Sequence, residues 1–187
     1  MKVRERLIAA TAQLMACHGV AGTGIAEILT TSGVTRRSIY LNFPGGKSEL
    51  VAASTRAAGE DIAASLREHL SEPDPIEAFT TMWRGVLVET DFEGGCPVLA
   101  AACSRDEAPE AAAAAADAYS MWAEMLSERL RADGIKAEVA QSLSTTIVAA
   151  FEGAVVLSRA IRSTQPLDAV ALHMSELVAS HRPRSRR

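Results

Sequence analysis

The stretch GIAEILTTSGVTRRSIYLNF, residues 24–43, decides the fold. Its apolar residues fall at helical spacing on both sides of Gly33, and glycine accepts the positive φ of a tight turn between helices. Thr23 and Thr35 stand where the two helices would begin, and threonine is a favoured N-cap. The stretch therefore predicts helix, glycine turn, helix. Its small internal core is predicted to contain Ile28, Leu29, Val34 and Ile39.

The second predicted helix carries side chains that suit DNA. In a helix-turn-helix the second helix enters the major groove. Arginine, as at Arg36 and Arg37, pairs with guanine, and asparagine, as at Asn42, pairs with adenine. The hydroxyls of Ser38 and Tyr40 suit phosphate oxygens. Asn42 has an alternative role as a helix cap. Two short helices around a glycine also occur in many enzymes, so the flanking sequence matters.

The flanks carry a resemblance to a known family. A first helix from about residue 4 to 18, then Thr23, SGVTRRSIYLNF (residues 32–43) and PGGKSEL (residues 44–50) together resemble the TetR family of bacterial transcriptional regulators. The ending FPGGKSELV resembles the LmrA/YxaF-like subgroup. The resemblance covers roughly residues 3–55. It implies a homodimer that represses transcription and holds a variable ligand pocket in its C-terminal body.

The resemblance also implies roles for individual residues. The positions that contact phosphate in this family are Thr23, Thr35, Tyr40 and Lys47. The recognition helix carries Arg36, Arg37, Ser38, Leu41 and Asn42. Leu41-Asn42 stands where the family often has aromatic or histidine pairs, and Arg37 where it often has a small residue. These departures bear on the operator sequence rather than on the fold.

Composition favours an all-α protein. The chain of 187 residues is 48% hydrophobic and 4% aromatic, and it is rich in alanine, the best helix former. It contains no uninterrupted apolar run of about 18 residues and no secretory signal, so we expect a cytoplasmic protein without membrane contact. We predict a helix-turn-helix domain at residues 1–46 and a ligand-binding and dimerisation domain at residues 47–187. A connecting helix is expected at about residues 47–70.

Charge separates the ends of the chain from its middle. Residues 1–50 hold six Lys and Arg against three acids, whereas residues 51–181 hold nine against twenty. A basic head on an acidic body indicates that the head meets a polyanion such as double-stranded DNA. The tail adds Arg182, Arg184, Arg186 and Arg187, whose role the sequence leaves open.

The helices of the body suggest a ligand pocket and a dimer surface. The predicted pocket residues are Phe79, Met82, Trp83, Tyr119, Trp122, Met125 and Phe151. Such side chains would accept a small apolar or cationic effector, although the same pattern is also typical of a core. The predicted dimer residues are Leu143, Ile147, Ala150, Gly153, Ala154, Val170, Met174 and Leu177. These too have an alternative role, which is to cover the core of their own chain.

Other functions find little support in the sequence. The four histidines are scattered, and the catalytic and nucleotide-binding motifs HExxH, GxSxG, GxGxxG and the Walker loop do not occur. We therefore expect no enzyme activity, no catalytic residue, no cofactor and no metal. A ligand-released repressor that binds a palindromic operator is the favoured function. A helix-turn-helix activator is the alternative, and an α-helical enzyme is a remote one.

Overall fold

The structure, a computed structural model, describes residues 1–183. Over these residues the chain forms nine helices and no strand, which confirms the predicted all-α fold. The helices are α1 (Val3–His18), α2 (Ile25–Ser32), α3 (Arg36–Asn42), α4 (Gly46–His69), α5 (Pro75–Glu89), α6 (Pro97–Ala102), α7 (Pro109–Ala132), α8 (Ala137–Ile161) and α9 (Gln165–His181). The tail residues Arg184, Arg186 and Arg187 lie outside the described residues.

The turn between α2 and α3 forms as the sequence predicts. Gly33 ends α2 in the left-handed conformation with φ of 63°, and Thr35 is the N-cap residue of α3. Thr23 does not cap α2, because Gly24 holds that position. The Thr23 hydroxyl instead donates to the Gly19 carbonyl at 2.7 Å. The carboxylate of Glu27 accepts a hydrogen bond from the Gly24 amide at 3.1 Å and so satisfies the helix start.

The chain divides into two compact units that are not continuous in sequence. The first unit comprises Met1–Ile62 and Gly94–Ala118, and the second comprises Ala63–Glu93 and the chain from Tyr119 onward. This division differs from the boundary after residue 46 that the sequence suggested. Within the first unit α6 packs against α1, so a segment distant in sequence belongs to the same unit as the helix-turn-helix.

The core of the first unit fixes the helix-turn-helix. Ile28 and Ile39 are fully buried in it, and Leu29 and Val34 pack against it, as predicted. The cluster extends beyond these residues to Leu7, Leu14, Phe43, Leu50 and Ala53. α3 is only seven residues long, too short to be stable alone, so its order depends on this packing.

The second unit is built on α5, α8 and α9, which pack against one another. α8 is long and apolar enough to cross a membrane by length and composition alone. Its buried stripe includes Leu143, Ile147, Phe151 and Val155. An apolar stripe that packs on neighbouring helices is typical of a core helix.

Candidate nucleic-acid interface

α3 presents nearly all of its surface to solvent. Ile39 is its one buried residue, and Phe43, four positions later and also buried, holds the end of the helix. On the outer side Leu41 is 70% exposed and Tyr40 is 49% exposed. The helix is therefore anchored through one narrow apolar edge, and its remaining surface can contact another molecule.

The two arginines of α3 are exposed and unpaired. Among residues 1–183, Arg36 and Arg37 have no carboxylate within salt-bridge distance and no hydrogen-bond acceptor. Arg162 in the second unit differs, because its guanidinium pairs with Asp91 at 2.6 Å. The hydrogen bond to Asp91 raises the pKa of Arg162 above its ordinary value. The α3 guanidiniums keep all their N–H donors for phosphate or base edges.

Hydroxyl and amide groups line the same helix. The Thr35 and Ser38 hydroxyls lie 3.0 Å apart at its start, where both are accessible. The Asn42 side-chain amide donates to the Ser38 carbonyl at 2.8 Å. In this conformation Asn42 follows its alternative role as a local cap, and its amide oxygen and second N–H remain for another partner.

Lys47 lies in the first turn of α4, and Tyr40 lies on α3 near the start of α4. The Lys47 ammonium donates to the Val20 carbonyl at 3.3 Å, and the residue is half-buried. Gly46 has φ of 67°, and a Cβ there would stand 3.4 Å from the Tyr40 ring. A side chain at residue 46 would therefore be strained by the positive φ, while its Cβ would make an ordinary van der Waals contact with Tyr40. The Tyr40 ring thus lies beside the start of α4.

Thr23 does not belong to this surface. It is completely buried, and its hydroxyl is used by the Gly19 carbonyl. The expected phosphate contact therefore fails for Thr23 in this conformation. The other eight predicted DNA-contact residues lie on α3, at its N-cap or in the first turn of α4.

Arg4 and Arg6 of α1 contact the ends of α3 and α2. The sequence analysis counted them only as charge. Arg6 donates from Nη2 to the carbonyls of Ser32 and Gly33 at 2.6 and 3.1 Å. The Arg4 guanidinium lies 5.0 Å from the centre of the Phe43 ring. The last turn of α2 carries no basic residue of its own. The sequence therefore indicates that the carbonyl groups at this helix end need a hydrogen-bond donor from another segment.

The predicted pocket residues are buried or half-buried in the second unit, and the aromatic ones contact one another through their rings. Trp83, Trp122 and Phe151 are buried. Phe79 meets the Phe151 ring edge-on at 5.2 Å, and the Tyr119 and Trp122 rings meet in the same way at 5.2 Å. Met82 and Met125 are half-buried, as are Phe79 and Tyr119. A cavity of about 260 Å³ in the second unit has other walls.

The predicted dimer residues fall on two different faces. Leu143, Ile147 and Ala154 are buried within their own chain, which is the alternative role that the sequence left open. Gly153 is exposed, while Ala150, Val170, Met174 and Leu177 are half-buried. The large exposed apolar side chains of α8 and α9 are Val156, Leu157, Ile161 and Leu172. An unpartnered apolar face of this kind marks a protein–protein contact.

Residues 1–183 contain no group of three or more His, Cys, Asp or Glu side chains that could hold a metal ion.

Two family models match the chain, one over its N-terminal part and one over most of the rest. A model described as "Bacterial regulatory proteins, tetR family" matches residues 7–54. A model described as "Transcriptional regulator LmrA/YxaF-like, C-terminal domain" matches residues 74–173. Together they include α2, α3 and most of the helices of the second unit.

Several known proteins are similar over nearly the whole length. An uncharacterized HTH-type transcriptional regulator of Mycobacterium tuberculosis is 32% identical over 186 residues, which is 96% of each chain. The HTH-type transcriptional regulator LmrA of Bacillus subtilis is 30% identical over 181 residues, or 94% of each chain. A TetR transcriptional regulator from Chloroflexus aurantiacus has a solved structure with a TM-score of 0.80, 28% identity and 96% coverage of both chains. The regulatory protein TetR from Rhodobacter sphaeroides shares the fold at a TM-score of 0.84, with 20% identity over 93% of this chain and 97% of its own.

Proposed function

The chain belongs to the TetR family of bacterial transcriptional regulators, and from this premise we propose that it is a homodimeric repressor that binds a palindromic operator and is released by a small ligand. As a member of this family it is a DNA-binding regulator and not an enzyme. We assign the reading head to residues 1–46, dimerisation to the outer face of α8 and α9, and the place of action to the cytoplasm.

The observation that carries the proposal is the outer face of α3. It combines two unpaired arginines, Arg36 and Arg37, with the exposed Tyr40 and Leu41. Guanidiniums bind guanine and phosphate, and a phenol binds phosphate. We include Thr35, Ser38, Asn42 and Lys47 in this interface and leave out the buried Thr23.

Selection of DNA from a random pool tests the proposal. In a two-fold dimer both α3 helices meet successive major grooves, so the selected sequences should be palindromes. The half-site centres should lie about 34 Å, or one duplex turn, apart, or a multiple of it. Selection of no consensus, or of a single unrepeated half-site, would contradict a dimeric operator-binding protein.

Lys47→Ala is expected to weaken binding to every DNA sequence alike. Its ammonium is a point charge at the start of α4 that suits phosphate rather than a base edge. The slope of log affinity against log salt should become shallower by about one unit for each Lys47, and so by about two units for a dimer. The slope is measured by titrating labelled operator and scrambled DNA at several salt concentrations. Lys136→Ala, an exposed lysine at the start of α8, is the matched control and should leave the slope unchanged.

Leu41 is expected to contact a thymine methyl group. A leucine that is 70% exposed on a DNA-reading helix gains by covering an apolar group, and the thymine methyl is the apolar group of the major groove. Replacing the contacted thymine by deoxyuridine should weaken binding about fourfold, the effect of one buried methyl at about 0.8 kcal/mol.

A deoxyuridine scan through the selected half-site identifies that position. Leu41→Ala should bind more weakly and lose the sensitivity to deoxyuridine there. Val88→Ala, which truncates an exposed side chain on α5, should keep it. Equal deoxyuridine sensitivity of the wild type and Leu41→Ala would show that the leucine does not read the methyl.

A further inference from the structure

The second unit contains a cavity at the ends of several helices. Its volume is about 260 Å³, somewhat below the 300–1,000 Å³ typical of ligand pockets. Its apolar walls are Leu70, Ile76, Leu126, Leu130, Ile147 and Val178. Leu130, Ile147 and Val178 are buried, whereas Asp74 and Ala179 at the rim are exposed. The cavity therefore has an apolar floor and a rim that solvent reaches.

A group of charged side chains stands at one side of this cavity. Asp133 accepts hydrogen bonds from two arginines, Arg129 through one carboxylate oxygen and Arg182 through the other, the latter at 2.6 Å. Arg129 also donates from Nε to the Leu70 carbonyl at 2.9 Å. Each oxygen of the Asp133 carboxylate thus accepts a hydrogen bond from a different guanidinium.

The two arginines keep donors to spare. A guanidinium has five N–H donors. Arg129 uses Nε and Nη1, Arg182 uses Nη2, and their other N–H groups have no acceptor among residues 1–183. The remaining acid on the cavity, Asp74, accepts the Glu77 amide at 3.2 Å and caps α5, where the helix dipole favours its charge. An added carboxylate would meet donors rather than competing acceptors.

We propose that this cavity binds a small amphiphilic carboxylic acid. Its carboxylate accepts hydrogen bonds from Arg129 and Arg182, and its apolar chain or ring lies on the floor formed by Leu130, Ile147 and Val178. The apolar floor excludes a wholly hydrophilic anion as the preferred ligand, because such an anion would leave the walls without a partner. That this acid is the effector which releases DNA rests on the proposed function, whereas its binding does not.

The cavity also lies at the end of α4. Leu70 directly follows that helix, and its carbonyl is held by Arg129. α4 begins at Gly46, next to the DNA-reading residues. A ligand that redirects Arg129 therefore changes the hydrogen bond between Arg129 and the Leu70 carbonyl at the C-terminal end of α4. The first turn of the same helix carries Lys47. It shifts DNA binding only by its preference for one conformation over the other.

Calorimetry with three probes of equal chain length tests the ligand class on the full-length protein. Octanoate is expected to bind better than 1-octanol, and octyltrimethylammonium is expected to bind least. The order follows from two guanidiniums with spare donors beside two carboxylates, Asp133 and Asp74, that already accept hydrogen bonds within the chain. Tightest binding of the ammonium probe would overturn the proposal by making Asp133 the recognised group. Absence of octanoate binding at millimolar concentration would overturn it as well.

Two variants locate the site. Arg182→Gln should weaken octanoate binding about 10- to 100-fold, as expected when a hydrogen bond to a charged group is lost, and should leave 1-octanol binding unchanged. Arg162→Gln is the matched control, because Arg162 likewise follows a helix end and is similarly exposed, and it should bind octanoate as the wild type does. Ala179→Phe, at an exposed rim position, should reduce the binding of both probes without disturbing the core. Unchanged octanoate affinity in Arg182→Gln and Ala179→Phe would place the ligand elsewhere.

Operator binding in the presence of octanoate separates the two proposals. Binding to the cavity together with weaker operator binding supports both. Binding to the cavity with unchanged operator affinity supports the site and contradicts its role in release. Operator binding by a protein that takes up no octanoate contradicts the site and leaves the DNA-binding proposal intact.

Discussion

Replacing Arg36 and Arg37 together by alanine is expected to weaken binding by about 30- to 10⁴-fold for each half-site of the selected operator, because each arginine–guanine pair contributes about 1–3 kcal/mol of discrimination. Neither guanidinium supports the fold in the absence of DNA, since both are exposed and unpaired within residues 1–183. The loss should therefore appear in DNA affinity and not in the melting temperature. Each single variant should in addition accept more bases at the position that its arginine reads.

The control for charge removes two arginines from the second unit. Arg67→Ala with Arg131→Ala changes the net charge by the same amount at two exposed positions. Its operator affinity should stay close to that of the wild type. If the Arg36/Arg37 variant selects the same sites with the same affinity as this control, α3 is not the recognition helix.

Gly153→Glu is expected to produce a folded monomer that has lost specific DNA binding. A Cβ at Gly153 meets nothing within 4 Å in the single chain, and glycine is a poor helix former, so the chain itself tolerates the change. In a two-fold dimer the same substitution places an unpaired charge on both sides of one interface. A monomer contacts a single half-site, and affinity should fall toward non-specific binding, about 10³-fold or more.

Light scattering and operator titration of the same sample measure the two effects. Gly85→Glu is the matched control, because a Cβ at Gly85 on α5 also meets nothing within 4 Å. It should remain dimeric and bind the operator. Gly153→Ala separates size from charge and should also dimerise. A dimer of Gly153→Glu with full operator affinity would move the interface away from this face of α8.

The local signals in residues 24–43 were sufficient for the helix-turn-helix. Gly33 and Thr35 act over a few residues and mark where α2 ends and α3 begins, while the packing of Ile39 and Phe43 keeps the short α3 ordered. The prediction of Thr23 as the N-cap of α2 was wrong, because a local signal of this kind also fits the next residue, Gly24. Glycine is also an acceptable N-cap, and the competition between Thr23 and Gly24 was decided by the carbonyl of Gly19 and the carboxylate of Glu27.

The sites in the second unit could not be predicted in this way. Helical periodicity shows which face of a helix is covered, but not whether core, ligand or a second subunit covers it. Trp83 and Phe151 pack with Phe79, and Ile147 is buried by its own chain, which is the core role that the sequence left open beside the pocket and the dimer. The cavity at Arg129 and Arg182 assembles residues from the α4 end to the α9 end, and no local pattern connects them.

The packing of α6 against α1 restricts how such a regulator can be recombined. The compact unit that contains the helix-turn-helix is encoded in two separate stretches, Met1–Ile62 and Gly94–Ala118. A chimera joined after residue 46 would pack the α1 of one protein against the α6 of another. The side chains of these two helices would not be complementary in shape. A chimera that also carries residues 94–118 of the donor keeps the native pair. New operator specificity is thus more accessible to point changes on α3, whose outer face contacts nothing else in its unit, than to the exchange of whole heads between relatives.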